Sequence, residues 1–343
     1  MSTYADAGID LDSARQTTQR IGEIVAKSRG LGVLADVGAF GGMFRLGAAG
    51  EFQDPVLVAS TDGIGTKVKV ASALGRFENL GADIVNHCVN DIAVQGARPL
   101  FFLDYLALHH ADSEVVTTLV SGVASACAAS GCALLGGETA EMPDVYPEGE
   151  FDLAGTIVGV MERSAIGANG EPQAGDLVLG LPSDGLHTNG YSLARRAVPF
   201  ESWQEYDANL GMTVGEALLV PHRSYLNEIQ ALFAAGARSF AHITGGGLPE
   251  NVERIVPAGL TVVIDTSLWE PLPIFGRIAQ EGGIPAGEMF RVFNMGIGLV
   301  AIVPAEDLAA ARSAVPSAIV IGQIETRAGR EAVLLRGVAE NRA

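Results

Sequence analysis

The stretch Pro55-Val56-Leu57-Val58-Ala59-Ser60-Thr61-Asp62-Gly63-Ile64-Gly65-Thr66-Lys67 decides how this chain is read. Its first six residues form a short apolar run with the composition of a strand. The strand ends at Thr61, and helical spacing resumes beyond the loop. A turn of this kind brings Asp62, Gly63, Gly65, Thr66 and Lys67 to the start of a helix. Glycines let backbone N–H groups approach a phosphate, and a helix start adds positive potential. Lys67 contributes a full cation, while Asp62 offers a hard oxygen for a metal bridging phosphate oxygens. The G-x-x-x-x-G-K spacing of a Walker A loop is absent. The competing reading is a surface turn whose Asp and Gly serve turn geometry alone.

Working outward, the pattern predicts a helix over 10–29, then the glycine-rich stretch 38–43. A second helix is expected over 79–95 and a buried strand over 100–108. The helix over 112–130 has Asp112 as its cap and Gly131 as its stop. Strands follow at 132–137 and 151–162. The strands 100–108 and 151–160 are apolar on both sides of the alternation, so one-sided burial does not account for them. Residues 167–175 read as a linker. Beyond it the pattern restarts, with strands at 176–181, 260–265, 296–303 and 318–324. Helices are expected at 191–197, 225–235, 273–281 and 306–314. This makes two α+β domains, 1–168 and 169–343.

Two further acidic positions accompany Asp62. On the 79–95 helix, Ile84, Val85, Cys88, Val89, Ile92 and Ala93 share an apolar face, and Asp91 lies at its flank. There it is either a boundary ion-pair partner or a metal ligand facing a cleft. Glu138, in Gly136-Gly137-Glu138-Thr139-Ala140-Glu141, follows a strand, where ligands of open α/β sheets gather. Asp62, Asp91 and Glu138 form a candidate Mg2+ set, because Mg2+ prefers hard oxygens. The plainer reading of Glu138 is a glycine turn followed by a helix cap.

The second half carries two polar loops. His187, Thr188 and Asn189 lie between a strand and a helix and offer directional hydrogen bonds to a polar substrate. His187 is also a candidate acid–base group. Thr244, Gly245, Gly246 and Gly247 precede a helix opened by Pro249, a cradle for a monoester phosphate or else a flexible connection.

Composition bounds the possibilities. The 343 residues include 22 basic and 40 acidic side chains, a net charge of −18. Such a field repels phosphate backbones and argues against nucleic-acid binding. The lysines are Lys27, Lys67 and Lys69; every other basic residue is Arg. The cysteines, Cys88, Cys127 and Cys132, have neither disulfide-framework nor zinc spacing. No apolar run is long enough to span a bilayer, and the polar N-terminus is unlike a signal peptide, so a cytoplasmic location without membrane association is expected.

Taken in order, the motifs TDGIGTK at 61–67, CVNDIAVQGARPLFFLDY at 88–105, GGETAEMP at 136–143, HTNGYSL at 187–193 and TGGGLPEN at 244–251 resemble the phosphoribosylformylglycinamidine cyclo-ligase family. The resemblance covers nearly the whole chain. It implies two α+β domains and a homodimer whose N-terminal sheets meet. It also implies ATP-dependent conversion of formylglycinamidine ribonucleotide to 5-aminoimidazole ribonucleotide, with ADP and phosphate released. Carried over position by position, it places ATP and Mg2+ at Asp62, Gly63, Gly65, Thr66, Lys67, Asp91, Glu138 and Thr139. The ribonucleotide falls to His187, Thr188, Asn189 and Thr244 to Gly247, and the catalytic set is Lys67, Asp91 and His187. The nearest alternative is another ATP-using member of the superfamily, an amidotransferase component or a small-molecule kinase. A non-catalytic nucleotide-binding regulator is the rival of a different class; it predicts loss of the carboxylates or of Lys67, and all are present.

Overall fold

The computed structural model describes residues 11–26, 30, 32–34 and 41–338. Lys27 and residues 38–40 of the glycine-rich stretch lie outside them. The chain divides into two compact units, Met1–Ile92 with Ala97–Arg163, and Ser164–Ala343 with Ala93–Gly96. The junction thus falls between Arg163 and Ser164, a little ahead of the 168/169 boundary expected from the linker composition.

The first unit comprises α1 (Leu11–Val25), β1 (Pro55–Gly63), α2 (Lys67–Leu74), α3 (Leu80–Ala93), β2 (Arg98–Leu108), α4 (Ser113–Ala129), β3 (Ala133–Glu141) and β4 (Phe151–Glu162). Its sheet has the order β1-β4-β2-β3. β4 is antiparallel to both β1 and β2, whereas β2 and β3 are parallel. Asp112 caps α4 as expected, its carboxylate accepting from the Glu114 and Val115 N–H groups. Two strands outrun their sequence signals. β1 continues through Asp62 and Gly63, which pair with Gly155 and Ala154. β3 continues beyond the expected 132–137 through Glu138 to Glu141, because β2 pairs with these residues from Tyr105 to Leu108. Backbone pairing to a neighbouring strand overrides the poor strand propensity of Gly-Gly-Glu.

The two faces of this sheet differ. On one, α3 lays down Ile84, Val85, Cys88, Val89 and Ile92, all buried against strand residues such as Phe102 and Ile157. Each large apolar side chain so buried contributes about 1.5–3 kcal/mol. α4 packs on β2 and β3, and α1 packs on α4. On the other face Leu57 is 61% exposed, Leu103 36% and Tyr105 41%. Phe44 covers Phe101 there, with ring centroids 5.5 Å apart.

The second unit comprises β5 (Leu177–Pro182), α5 (Tyr191–Ala197), β6 (Tyr206–Asp207), β7 (Met212–Thr213), α6 (Val214–Leu218), α7 (Leu226–Ala234), β8 (Ser239–His242), α8 (Gly247–Glu253), β9 (Leu260–Asp265), α9 (Pro273–Gly282), α10 (Ala286–Val292), β10 (Ile297–Val303), α11 (Leu308–Ala314), β11 (Ile319–Thr326) and β12 (Val333–Arg336). The main sheet has the order β12-β9-β11-β5-β10-β8. β10 is buried along its whole length, between β5 and β8. It is antiparallel to both. β5 and β8 therefore point the same way, and the loops after them leave the same end of the sheet. α8 starts at Gly247, so Pro249 sits inside its first turn instead of opening it.

Candidate active site

At the end of β1 the chain gathers two carboxylates around an imidazole. His87 on α3 places Nε2 2.8 Å from Asp62 Oδ2 and 3.7 Å from Asp91 Oδ2. Ser60 donates its hydroxyl to Asp91 Oδ2 at 3.0 Å, and the Gly63 N–H donates to Asp62 Oδ1 at 2.7 Å. The arrangement follows from local geometry. Ser60 and Asp62 alternate onto the helix-covered face of the strand, and His87 and Asp91 are one helical turn apart. Burial works against charge on both Asp62 and His87. It is outweighed for Asp62 by the His87 hydrogen bond and charge, which hold the carboxyl below its usual range. For His87 the Asp62 hydrogen bond and the nearby carboxylates win, raising the imidazole above its ordinary value. The imidazole thus lies between two acidic groups that favour its protonated form.

Two expected members of this site are placed elsewhere. Lys67 is 0% exposed, and its Nζ lies 2.7–2.8 Å from the carboxylate oxygens of Asp83 on α3. A buried ammonium needs a countercharge, and this lysine faces inward onto Asp83. Burial pulls its pKa down, opposed by Asp83. Glu138 pairs with Tyr105 and Gly137 with Asp104, whereas Asp62 lies in the Asp104 row across the sheet. Glu138 is three strand spacings from β1, roughly 14 Å, and on the opposite face from Asp62. Within one chain, Asp62 and Asp91 come together and Glu138 does not join them. Thr139 is on the strand β3 with Glu138, and Gly65 and Thr66 form the turn into α2.

In the second unit, the loops after β5 and β8 each carry expected site residues. His187 has φ 63°, a left-handed conformation unusual for a side-chain-bearing residue. It is 1% exposed, and its ring stacks on His222 at 4.1 Å between centroids. Gly298 makes room for this packing, since a Cβ there would collide with Tyr225 and His187. The ring expected to meet substrate therefore faces the interior, because it is packed between protein groups. Thr188 Oγ1 is 3.2 Å from His222 Nδ1, and Asn189 donates to Thr188 Oγ1 at 3.4 Å. In the other loop Asn251 acts as a clamp. Its Nδ2 donates to the carbonyls of Thr244, Gly245 and Gly247 at 3.3, 3.2 and 2.8 Å. Gly247, at φ 60°, lies so close to the Phe290 carbonyl that a Cβ would collide. The Thr244–Gly247 loop is held in shape, which excludes the flexible-connection reading.

The AIR synthase related protein N-terminal domain matches residues 47–161, and its C-terminal domain matches residues 173–334. A phosphoribosylformylglycinamidine cyclo-ligase from Anaeromyxobacter sp. (strain Fw109-5) is 46% identical over 336 residues, 95% of this chain and 97% of the relative. The chain belongs to the AIR synthase related family. Solved structures share the fold of this AIR synthase related chain at lower identity. The hydrogenase maturation protein HypE of E. coli is 19% identical with a TM-score of 0.67, covering 94% of each chain. A thiamine-monophosphate kinase from Stenotrophomonas maltophilia K279a is 18% identical with a TM-score of 0.65, covering 93% of this chain and 96% of its own.

Sequence reading of this AIR synthase related chain missed His87, His222, His242 and Asn251. His87 carried a signal, since it lies four residues before Asp91 on one helix. His222 and His242 did not, because they are 20 residues apart with the helix α7 between them, and their meeting at 3.0 Å between Nε2 atoms is a tertiary event. Asn251 was legible as a polar residue one turn into a helix that follows three glycines.

Proposed function

We propose that this AIR synthase related protein is an ATP-dependent cyclo-ligase of purine synthesis. It converts formylglycinamidine ribonucleotide to 5-aminoimidazole ribonucleotide, releasing ADP and phosphate. The observation that carries this reading is the end-to-end match to a cyclo-ligase at 46% identity. An amide oxygen is a poor leaving group; phosphorylation by ATP makes it a good one, and an amidine nitrogen then closes the five-membered ring. The protein's task is to position the two substrates and to stabilise phosphate charge.

The first unit takes ATP in this proposal. Asp62 and Asp91 fit Mg2+, as two part-exposed carboxylates that come together on either side of one imidazole. When bound, the ion supplies charge neutralisation to phosphate oxygens. Gly63, Gly65 and Thr66 bring backbone N–H groups to the same end of β1, and buried Lys67 anchors the start of α2 beneath that turn. Glu138 and Thr139 lie on β3 and contribute from the bare side of the sheet. That face, with exposed Leu57, Leu103 and Tyr105, is the side on which a second copy would pack to form a homodimer, with ATP near the seam.

The second unit takes the ribonucleotide. Thr188 and Asn189 offer side-chain hydrogen bonds, and Thr244 to Gly247 offer a fixed glycine loop whose N–H groups suit a monoester phosphate. Such a neutral donor set binds phosphate even in a chain of net charge −18. His187 shapes the loop from inside and is a positioning residue here. We place the reaction in the cytoplasm, with other ribonucleotide chemistry. Incubation with ATP, Mg2+ and formylglycinamidine ribonucleotide should yield the aminoimidazole product without glutamine. Absence of product, or a requirement for glutamine, would overturn the assignment.

A further inference from the structure

Three of the chain's six histidines, His187, His222 and His242, meet in the second unit, all buried. They come from three separate segments. His187 belongs to the loop after β5, His222 lies between α6 and α7, and His242 ends β8 just ahead of the Thr244–Gly247 loop. His222 is the hub. Its Nδ1 is 3.2 Å from Thr188 Oγ1, its Nε2 is 3.0 Å from His242 Nε2, and its face stacks on His187 with 20° between planes. At the tips, the two loops also approach: a Cβ on Gly245 would sit 3.3 Å from Asn189 Oδ1.

Three imidazoles in one place invite a metal reading. The stack argues against it. Ring nitrogens present their lone pairs in the ring plane, and the planes of His187 and His222 lie nearly parallel at 4.1 Å. Their lone pairs run alongside each other and do not converge on one ion. What the geometry does provide is a hydrogen-bonded strut: two facing nitrogens at 3.0 Å share a proton.

We propose that His222 is a positioning residue for ribonucleotide binding, holding Thr188 on one loop in register with the glycine loop on the other through His242. The inference rests on the reading that these two loops hold the ribonucleotide. A buried polar strut fixes geometry at its ends, because its members lose their bonds if either end moves. Its loss should therefore weaken binding of one substrate and leave the other substrate's site and the chemical step alone.

The test uses the full-length enzyme and four variants: Thr188→Ala, His222→Phe, His222→Asn and His222→Gln. Asn reproduces the position of Nδ1 and keeps the Thr188 contact, whereas Gln reaches the position of Nε2 and keeps the His242 contact. His222→Phe should raise KM for formylglycinamidine ribonucleotide about tenfold, with KM for ATP and kcat within about twofold. Calorimetric titration of the ribonucleotide without ATP should show the same loss. Each amide restores one end of the strut only, so His222→Asn and His222→Gln should both leave the KM for the ribonucleotide raised. Combining His222→Phe with Thr188→Ala should cost little more than Thr188→Ala alone. If Thr188→Ala raises KM and the His222 variants do not, or if KM for ATP rises equally, the positioning role is wrong. If Thr188→Ala itself leaves ribonucleotide binding unchanged, the loop assignment fails and this inference with it. Should His222→Phe not fold, the Asn and Gln pair decides: a native KM for the ribonucleotide in either variant overturns the proposal.

Discussion

His87 Nε2 stands 2.8 Å from Asp62 Oδ2 at the carboxyl end of β1, with Asp91 one helical turn along from His87. The contact joins a strand end to a helix face and fixes where two carboxylates present their remaining oxygens. Its electrostatics run in opposite directions for the two partners. Asp62 is held below its ordinary value and His87 above its own. His87 thus contributes stability that is complete below its unfolded value of 6.5 and is lost as pH rises through its raised folded value. Asp62 contributes above 3.8, and that contribution disappears as pH falls through its lowered value. Replacing His87 with Gln should cost more stability at pH 6 than at pH 9, read from urea unfolding of both proteins. Equal losses at the two pH values would show that the imidazole is not charged in the folded state.

Asp91 accepts from Ser60 and sits at the edge of the α3 packing face, so its substitution removes charge with little change in packing. Asp91→Asn should shift the Mg2+ dependence of ATP turnover to higher metal concentration, by about tenfold or more, with an unaltered melting temperature. Turnover and Mg2+ dependence like those of the unmodified enzyme would remove Asp91 from the metal site.

Lys67 and Asp83 form a buried ion pair, and the cost of breaking it falls on the partner left behind. Asp83→Ala strands an ammonium in the interior and should lower stability by about 3–5 kcal/mol. The double change Lys67→Met with Asp83→Leu should recover much of that loss. Chemical denaturation of the three proteins decides the matter. A loss of less than about 1 kcal/mol in Asp83→Ala would mean that Lys67 reaches water by another route.

Burial pushes the Asp104 carboxyl up from 3.8 to about 7. Between those values the folded chain holds a proton that the unfolded chain has released, so stability falls as pH rises across this window and then levels off. The change is roughly 4 kcal/mol as an order of magnitude. Asp104→Asn cannot lose that proton. Its stability relative to the native protein should climb from pH 4 to pH 7 and stay level above; a constant difference would show that Asp104 is solvated.

Leu57, Leu103 and Tyr105 lie on the uncovered face of the first sheet. Leu103→Asp should convert a dimer into monomers at micromolar concentration, seen by sedimentation velocity, and should reduce turnover if ATP binds at the seam. A native protein that is monomeric and fully active at that concentration would refute the dimer.

The sequence by itself determined the order and type of most elements. β4 and β9 have the bounds read from the pattern, and Asp112 caps α4 as its position required. Hydrophobic period and capping are local signals, so they survive without knowledge of neighbours. The sequence also determined which segments border strand ends, because glycine-rich polar runs interrupt the apolar pattern at 61–67, 184–190 and 244–247. What the tertiary structure alone decided was which of those residues meet. Asp62 and Asp91 share His87, while Glu138, with the same chemistry and an equally suggestive position, stands across the sheet because backbone pairing extends β3 through it. Lys67 turns inward because a carboxylate from another helix waits there. The approach of the 187–189 and 244–247 loops depends on β5 and β8 running the same way, so that both loops leave one end of the sheet. Strand order sets that, and strand order is a long-range choice that no local period encodes.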